Sequence, residues 1–281
     1  MSDDRPIGVF DSGIGGLTVV RELIRRLPNE SILYFGDTAR VPYGPKSPQT
    51  VLRYSEEAAA FLMSRDVKLV VIACNTATAH AAARLAEILP VPVVGVIEPG
   101  ARAAVQATRS GRVGVIGTTG TIRSGAYDLA VRRRLDNARV YAQPCPLFVP
   151  LVEEGWQTHA VARLVARDYL SPLHEMEVDV LVLGCTHYPL LTGLIREVMG
   201  PGVTLVDSAE ETAAEVEATI ERYGLRRRSD EVPTRTFAAS DAPLRFRDVG
   251  RGFLGELLTA VEHVDVEGFN RAAWPAGHGA D

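Results

Sequence analysis

Apolar residues along this chain recur in two rhythms that take turns. Short β-branched runs at 7–10, 31–35, 69–73, 93–96, 113–116, 178–183 and 203–206 read as buried strands. Between them, 17–27, 50–64, 77–89, 124–135, 160–174 and 209–223 place apolar side chains at helical spacing. Strand and helix in alternation predict parallel sheets covered by crossover helices, the α/β class. Beyond 223, a stretch rich in arginine and aspartate predicts a loop before 235–238 and a final helix around 253–261, with the residues from Ala272 frayed.

Two segments repeat one element: VKLVVIACNT at 67–76 and VDVLVLGCTH at 178–187. Their cysteines, Cys74 and Cys185, lie 111 residues apart, and the same shift lays 92–95 on 203–206. Residues 8–12 and 114–118 also correspond loosely, both being strand ends that run into small, polar turns. The pattern predicts two pseudo-symmetric parallel-sheet α/β domains. The first comprises 1–97 plus 210–281, the chain returning to it, and the second 98–209. Ligands of parallel sheets collect beyond the carboxyl ends of the strands. Halves that face one another would therefore bring one thiol from each side to a shared cleft.

A length of 281 residues, 46% of them hydrophobic and 23% charged, suits two ordinary folded domains. The net charge of −5, from 30 basic and 35 acidic residues, supplies no field for nucleic acid or anionic lipid. The runs Arg132-Arg133-Arg134 and Arg226-Arg227-Arg228 read as solvated faces. The opening residues lack the pattern of a secretory signal, and no apolar run approaches the roughly 18 residues of a membrane span, so a cytoplasmic location is expected. Three cysteines without CxxC spacing predict neither a disulfide framework nor a zinc site, leaving reduced thiols free for chemistry.

An isolated cysteine after a strand usually just packs, and Cys145 is read that way. Cys74 and Cys185 differ because they share one position of a repeated element and are followed by hydrogen-bonding residues, Asn75-Thr76 and Thr186-His187. Acyl transfer needs one sulfur and an oxyanion hole, and would leave the second idle. Removing a proton from one face of a stereocentre and returning one to the other needs two exchangeable groups in line. Sulfurs flanking one carbon in this way stand roughly 7 Å apart, twice a reactive contact. A thiol with pKa about 8.5 is little ionised near neutrality, so each needs help. Asp11 and His187 are candidates to draw a proton from one sulfur each, although the position of Asp11 also fits helix capping.

The motifs VFDSGIGGLT at 9–18, GDTARVPYG at 36–44, ACNTA at 73–77 and GCTHYPLL at 184–191 resemble those of glutamate racemases, in the aspartate/glutamate racemase superfamily, and the similarity covers most of the chain. It implies a cofactor-independent two-base enzyme interconverting L- and D-glutamate, with Cys74 serving the D face and Cys185 the L face. Asp11 and His187 would assist, and Glu153 would be a further catalytic acid. The resemblance also implies substrate contacts from Asp11, Ser12, Tyr43, Gly44, Asn75, Thr76, Thr186 and His187, with Thr118 and Thr121 added from the second half. His187 favours glutamate over aspartate by the same resemblance. It further implies a homodimer and a product that feeds peptidoglycan synthesis. Neither a cofactor nor a metal is expected; the partner is the small-molecule substrate.

Three rivals are weaker. The glycines at 13–16 match neither complete nucleotide-binding fingerprint, and Asp11 at their mouth would repel phosphate. A thiol-dependent hydrolase leaves one cysteine unexplained, and a metal bound by Cys74, Cys185 and His187 would quench both thiolates. A non-catalytic glutamate-binding protein is the alternative without turnover.

Overall fold

The computed structural model describes residues 3–266. In chain order the first part runs β1 (Ile7–Asp11), α1 (Leu17–Arg26), β2 (Ile32–Gly36), α2 (Pro48–Ser64), β3 (Leu69–Ile72), α3 (Asn75–Ile88), β4 (Val93–Gly95) and α4 (Ile97–Ala107). Next come β5 (Arg112–Gly117), α5 (Thr119–Arg123), α6 (Ala126–Arg132), β6 (Arg139–Pro144), α7 (Phe148–Glu153), α8 (Ala160–Glu175), β7 (Val180–Gly184), α9 (Thr192–Met199) and β8 (Thr204–Asp207). The chain finishes with α10 (Ser208–Tyr223), β9 (Arg235–Ala239), α11 (Pro243–Leu254) and β10 (Glu262–His263).

The strands form two sheets, every pairing parallel: β10-β9-β2-β1-β3-β4 and β6-β5-β7-β8. The fold is therefore two parallel-sheet α/β units. Within the first sheet the order β2-β1-β3-β4 matches β6-β5-β7-β8 in the second, strand for strand, while β9 and β10 extend the first alone. Cys74 and Cys185 directly follow the ends of corresponding strands, β3 and β7.

Strands covered on both faces need apolar side chains at successive positions, and their alternation sorts those side chains into two cores. Val9, Tyr34 and Val71 face one core, while Phe10, Phe35 and Ile72 face the other, against Phe61 of α2 and Ala77 and Leu85 of α3. The first core continues without a break through Val115, Val182 and Ile195, so the two sheets share one apolar interior.

Several elements depart from the sequence reading. The edge strand β6 was not anticipated, because its side chains are only partly buried and lack a strong apolar run. The helix α4 was hidden by Pro99-Gly100, a pair that ordinarily punctuates turns but here sits in the first turn of a helix. The helix expected at 124–135 begins only after Gly125, whose φ of 65° ends a separate short helix, α5. The short helices α7 and α9 were also missed. The last helix ends, rather than begins, near 253: Pro243 sets its first turn, and a short 3-10 turn, Gly255–Leu257, closes it. The fraying expected from Ala272 lies outside the described residues. Among those described, no helix is long and apolar enough to cross a membrane.

Candidate active site

The turns after β1, β3, β5 and β7 build most of the wall of one cavity, about 30 Å³ in volume. Ser12 comes from the first turn, Cys74, Asn75 and Thr76 from the second, Thr118 from the third, and Cys185, Thr186 and His187 from the fourth. Tyr43 and Gly44 enter from the loop after β2. Both thiols, contributed by different sheets, thus reach the same space. Of the residues expected at the site, Asp11, Thr121 and Glu153 stand behind this lining rather than in it. Val41, Pro42 and Val149 line it without having been anticipated.

Cys74 caps α3. Its sulfur accepts the Ala77 N–H at 3.4 Å, and its thiol donates to Ser12 Oγ at 3.6 Å. Burial pushes this thiol up to about 12, and the Asp11 carboxylate adds to the rise, while the Ala77 and Ser12 hydrogen bonds oppose it. Asp11 is itself buried, which raises its own pKa against the pull of His187 and of the Gly16 and Gly13 amides. Those amides donate to Oδ2 at 3.0 and 3.2 Å, whereas Oδ1 is buried without a hydrogen-bond partner. Asp11 therefore shapes its turn and keeps one oxygen free.

On the other side, Cys185 Sγ lies 4.0 Å from His187 Nδ1, and His187 Nε2 lies 3.0 Å from Glu153 Oε1. Burial also raises the Cys185 thiol, opposed by the His187 backbone N–H. Burial works on Glu153 in the same direction, but its hydrogen bond to His187, the charge there and Arg245 together hold it below the ordinary carboxylate range. A carboxylate on Nε2 favours the tautomer carrying the proton there, which leaves Nδ1 as an acceptor facing the sulfur. The neighbouring Glu154 instead lies 3.6 Å from Arg245, at the surface.

The close approach of the two halves depends on Gly15. A Cβ at that position would come within 2.3 Å of Thr186 Oγ1 and 2.4 Å of His187 Nδ1. Thr18 ties the same turn across, donating to Gly15 O at 2.9 Å and Thr186 O at 3.1 Å. Neutral donors fill the remainder of the site. Thr76, Thr118 and Thr121 join their hydroxyls in a trio spanning both halves, at 2.8 Å for Thr76 to Thr118 and 3.1 Å for the other two pairs.

Two supports were not read from the sequence as parts of the site. The loop carrying Tyr43 is held by the fully buried Asp37, which accepts from the Tyr43 hydroxyl, from Arg40 Nε at 2.7 Å and from Ser240 Oγ at 2.9 Å. Asp37 and Arg40 were visible only as members of the motif at 36–44. Tyr127, whose hydroxyl donates to Asn75 Oδ1 at 2.7 Å, gave no signal at all, being one aromatic residue in a helical segment. Among the described residues no group of three or more His, Cys, Asp or Glu side chains is placed to hold a metal ion.

Residues 7–216 match the Asp/Glu/Hydantoin racemase family model. The chain is 57% identical to the glutamate racemase of Geobacter metallireducens, over 94% of this chain and 97% of that one. Its structure is similar to that of glutamate racemase isoform RacE1 from Bacillus anthracis, with a TM-score of 0.89 and 41% identity over 93% of this chain and 97% of the other. The Francisella tularensis glutamate racemase, solved in complex with D-glutamate, also gives 0.89 and 41%, covering 94% of this chain and 99% of that one.

Proposed function

The chain belongs to the Asp/Glu/hydantoin racemase family, and from that premise we propose that it interconverts L- and D-glutamate by moving the Cα proton between two thiols, without a cofactor. The observation that carries this reading is the arrival of Cys74 and Cys185 in one cavity from corresponding strand ends of two sheets. Cys74 serves the D face and Cys185 the L face. Asp11, through its unpartnered oxygen, and His187, held by Glu153, receive and return the thiol protons. Ser12, Tyr43, Gly44, Asn75, Thr76, Thr118 and Thr186 form the neutral cradle for two carboxylates, with Thr121 behind it tying the Thr76 and Thr118 hydroxyls. Hydroxyls and N–H groups can orient Cα between the sulfurs without an arginine clamp. The division at 1–97 plus 210–281 and 98–209, a cytoplasmic homodimer, and supply of D-glutamate for peptidoglycan belong to the same proposal.

Incubation with L-glutamate and, separately, L-aspartate, followed by chiral chromatography, tests reaction and substrate together. D-glutamate should accumulate until the enantiomers are equal, with aspartate converted far more slowly. In D2O the product should carry deuterium at Cα, because thiol protons exchange with solvent. An unchanged enantiomer ratio, or product without deuterium, defeats the proposal; the first outcome together with tight binding would favour a glutamate-binding protein.

The raised thiols also set a pH dependence. A base must lose its proton before it can act, so a thiol raised by burial moves the rising limb of kcat/KM to higher pH. Its partner must stay protonated, which the same burial favours. The profile should therefore keep rising beyond about pH 8.5, the ordinary thiol value. A plateau reached below neutrality would show instead that the free enzyme holds a stabilised thiolate.

A further inference from the structure

One polar group in the cavity wall is buried and unpaired: the side-chain nitrogen of Asn75. The residue is 2% exposed, and its Nδ2 has no hydrogen-bond partner, whereas Oδ1 accepts from Tyr127. An unpaired buried donor needs a reason, and for one in a cavity wall a ligand's acceptor supplies it. Which end of the amide faces the cavity depends on its partner, since the two ends have nearly the same shape.

Tyr127 decides that question. It is buried on α6, and burial raises its phenol well above the ordinary value, so it carries its proton throughout the working pH range. That phenol donates its proton to Asn75 Oδ1 at 2.7 Å. Close packing fixes the ring, for a Cβ on Gly100 would stand 3.3 Å from the phenol oxygen. The bond also joins the two units, because Asn75 opens α3 behind β3 of the first sheet while α6 follows β5 of the second.

Building on the reaction proposed above, we infer that Tyr127 is a positioning residue that locks the Asn75 amide with its N–H groups toward a carboxylate of the substrate. A flipped amide would present its carbonyl oxygen to that carboxylate and repel it.

The test is Tyr127→Phe, which keeps the ring and removes the hydroxyl. KM for both glutamate enantiomers, and Kd for glutamate by calorimetry, should rise about 5- to 20-fold, with kcat within about 3-fold. Asn75→Ala should weaken binding further. Adding Tyr127→Phe to Asn75→Ala should then change nothing more, a non-additivity that a merely structural tyrosine would not show. Unchanged KM and Kd in Tyr127→Phe, or the same further loss in the Asn75→Ala background, overturns the inference. If Asn75→Ala fails to fold, Asn75→Ser serves as the background. A wild-type protein that binds glutamate without racemising it defeats the reaction alone, because the calorimetric arm still decides on Tyr127. A wild-type protein that does not bind glutamate defeats both.

Discussion

Replacing either Cys74 or Cys185 with alanine should lower net racemisation of glutamate by at least about 10³-fold in both directions. A positioned acid or base contributes roughly 10²–10⁴ to a rate, and in the reaction proposed above each of these thiols acts as a base in one direction and as an acid in the other. With one removed, a proton taken from Cα can return only to the face it left, so the stereocentre is preserved however often exchange occurs. Neither substitution should unfold the chain: Cys74 and Cys185 are buried, but each replacement removes a single sulfur from the wall of an existing cavity. Circular dichroism and thermal midpoints near the wild-type values, alongside lost turnover in a chiral assay, would separate chemistry from folding. Full activity in either variant would falsify the two-thiol assignment.

Removing the charge of Lys68 should destabilise the fold by about 3–5 kcal/mol, as expected when one partner of a buried ion pair is deleted. Its ammonium is wholly buried and donates to Glu30 Oε2 at 2.6 Å, Asp3 O at 2.6 Å and Leu225 O at 2.7 Å. Glu30 Oε1 in turn accepts the Arg227 N–H at 3.0 Å. Lys68→Ala leaves a carboxylate and two carbonyls dry, and the melting midpoint should fall by on the order of 10 °C. The double variant Lys68→Met/Glu30→Leu should recover part of that loss. It cannot recover all of it, since the two carbonyls and the Arg227 amide still lack partners. Glu30 and Lys68 precede β2 and β3, at the opposite strand ends from the thiols, so kcat/KM of the folded enzyme at 25 °C should stay near wild type. A midpoint within about 2 °C of wild type, measured by calorimetry, would count against this reading.

The strands at the centre of each sheet were legible because burial on both faces demands the β-branched runs that mark them. The edge strand β6 escapes because it is free of that demand, and α4 because Pro99 and Gly100 read locally as a turn. The cysteine pair was legible for another reason: duplication gave each sulfur a second copy to be compared with. The trio of Thr76, Thr118 and Thr121, by contrast, came from resemblance alone, since nothing in spacing says that residue 76 will meet residues 118 and 121. Tyr127 shows the limit most plainly. Its contact with Asn75 spans 52 positions and requires a particular angle between two sheets, which no local pattern encodes.

The matched order of strands in the two sheets gives the thiols equivalent seats, yet the groups proposed to help them are unlike: a lone carboxylate behind one, an imidazole backed by a carboxylate beside the other. Mirror-image amino acids have identical free energies in water, and conversion in either direction climbs from the same starting level over the same barriers. The efficiency kcat/KM must then be equal for the two enantiomers. Unequal helpers are free only to divide that common value differently between saturation and turnover. Any substitution at Asp11 or Glu153 that slows one hand at low concentration is obliged to slow the other by the same factor.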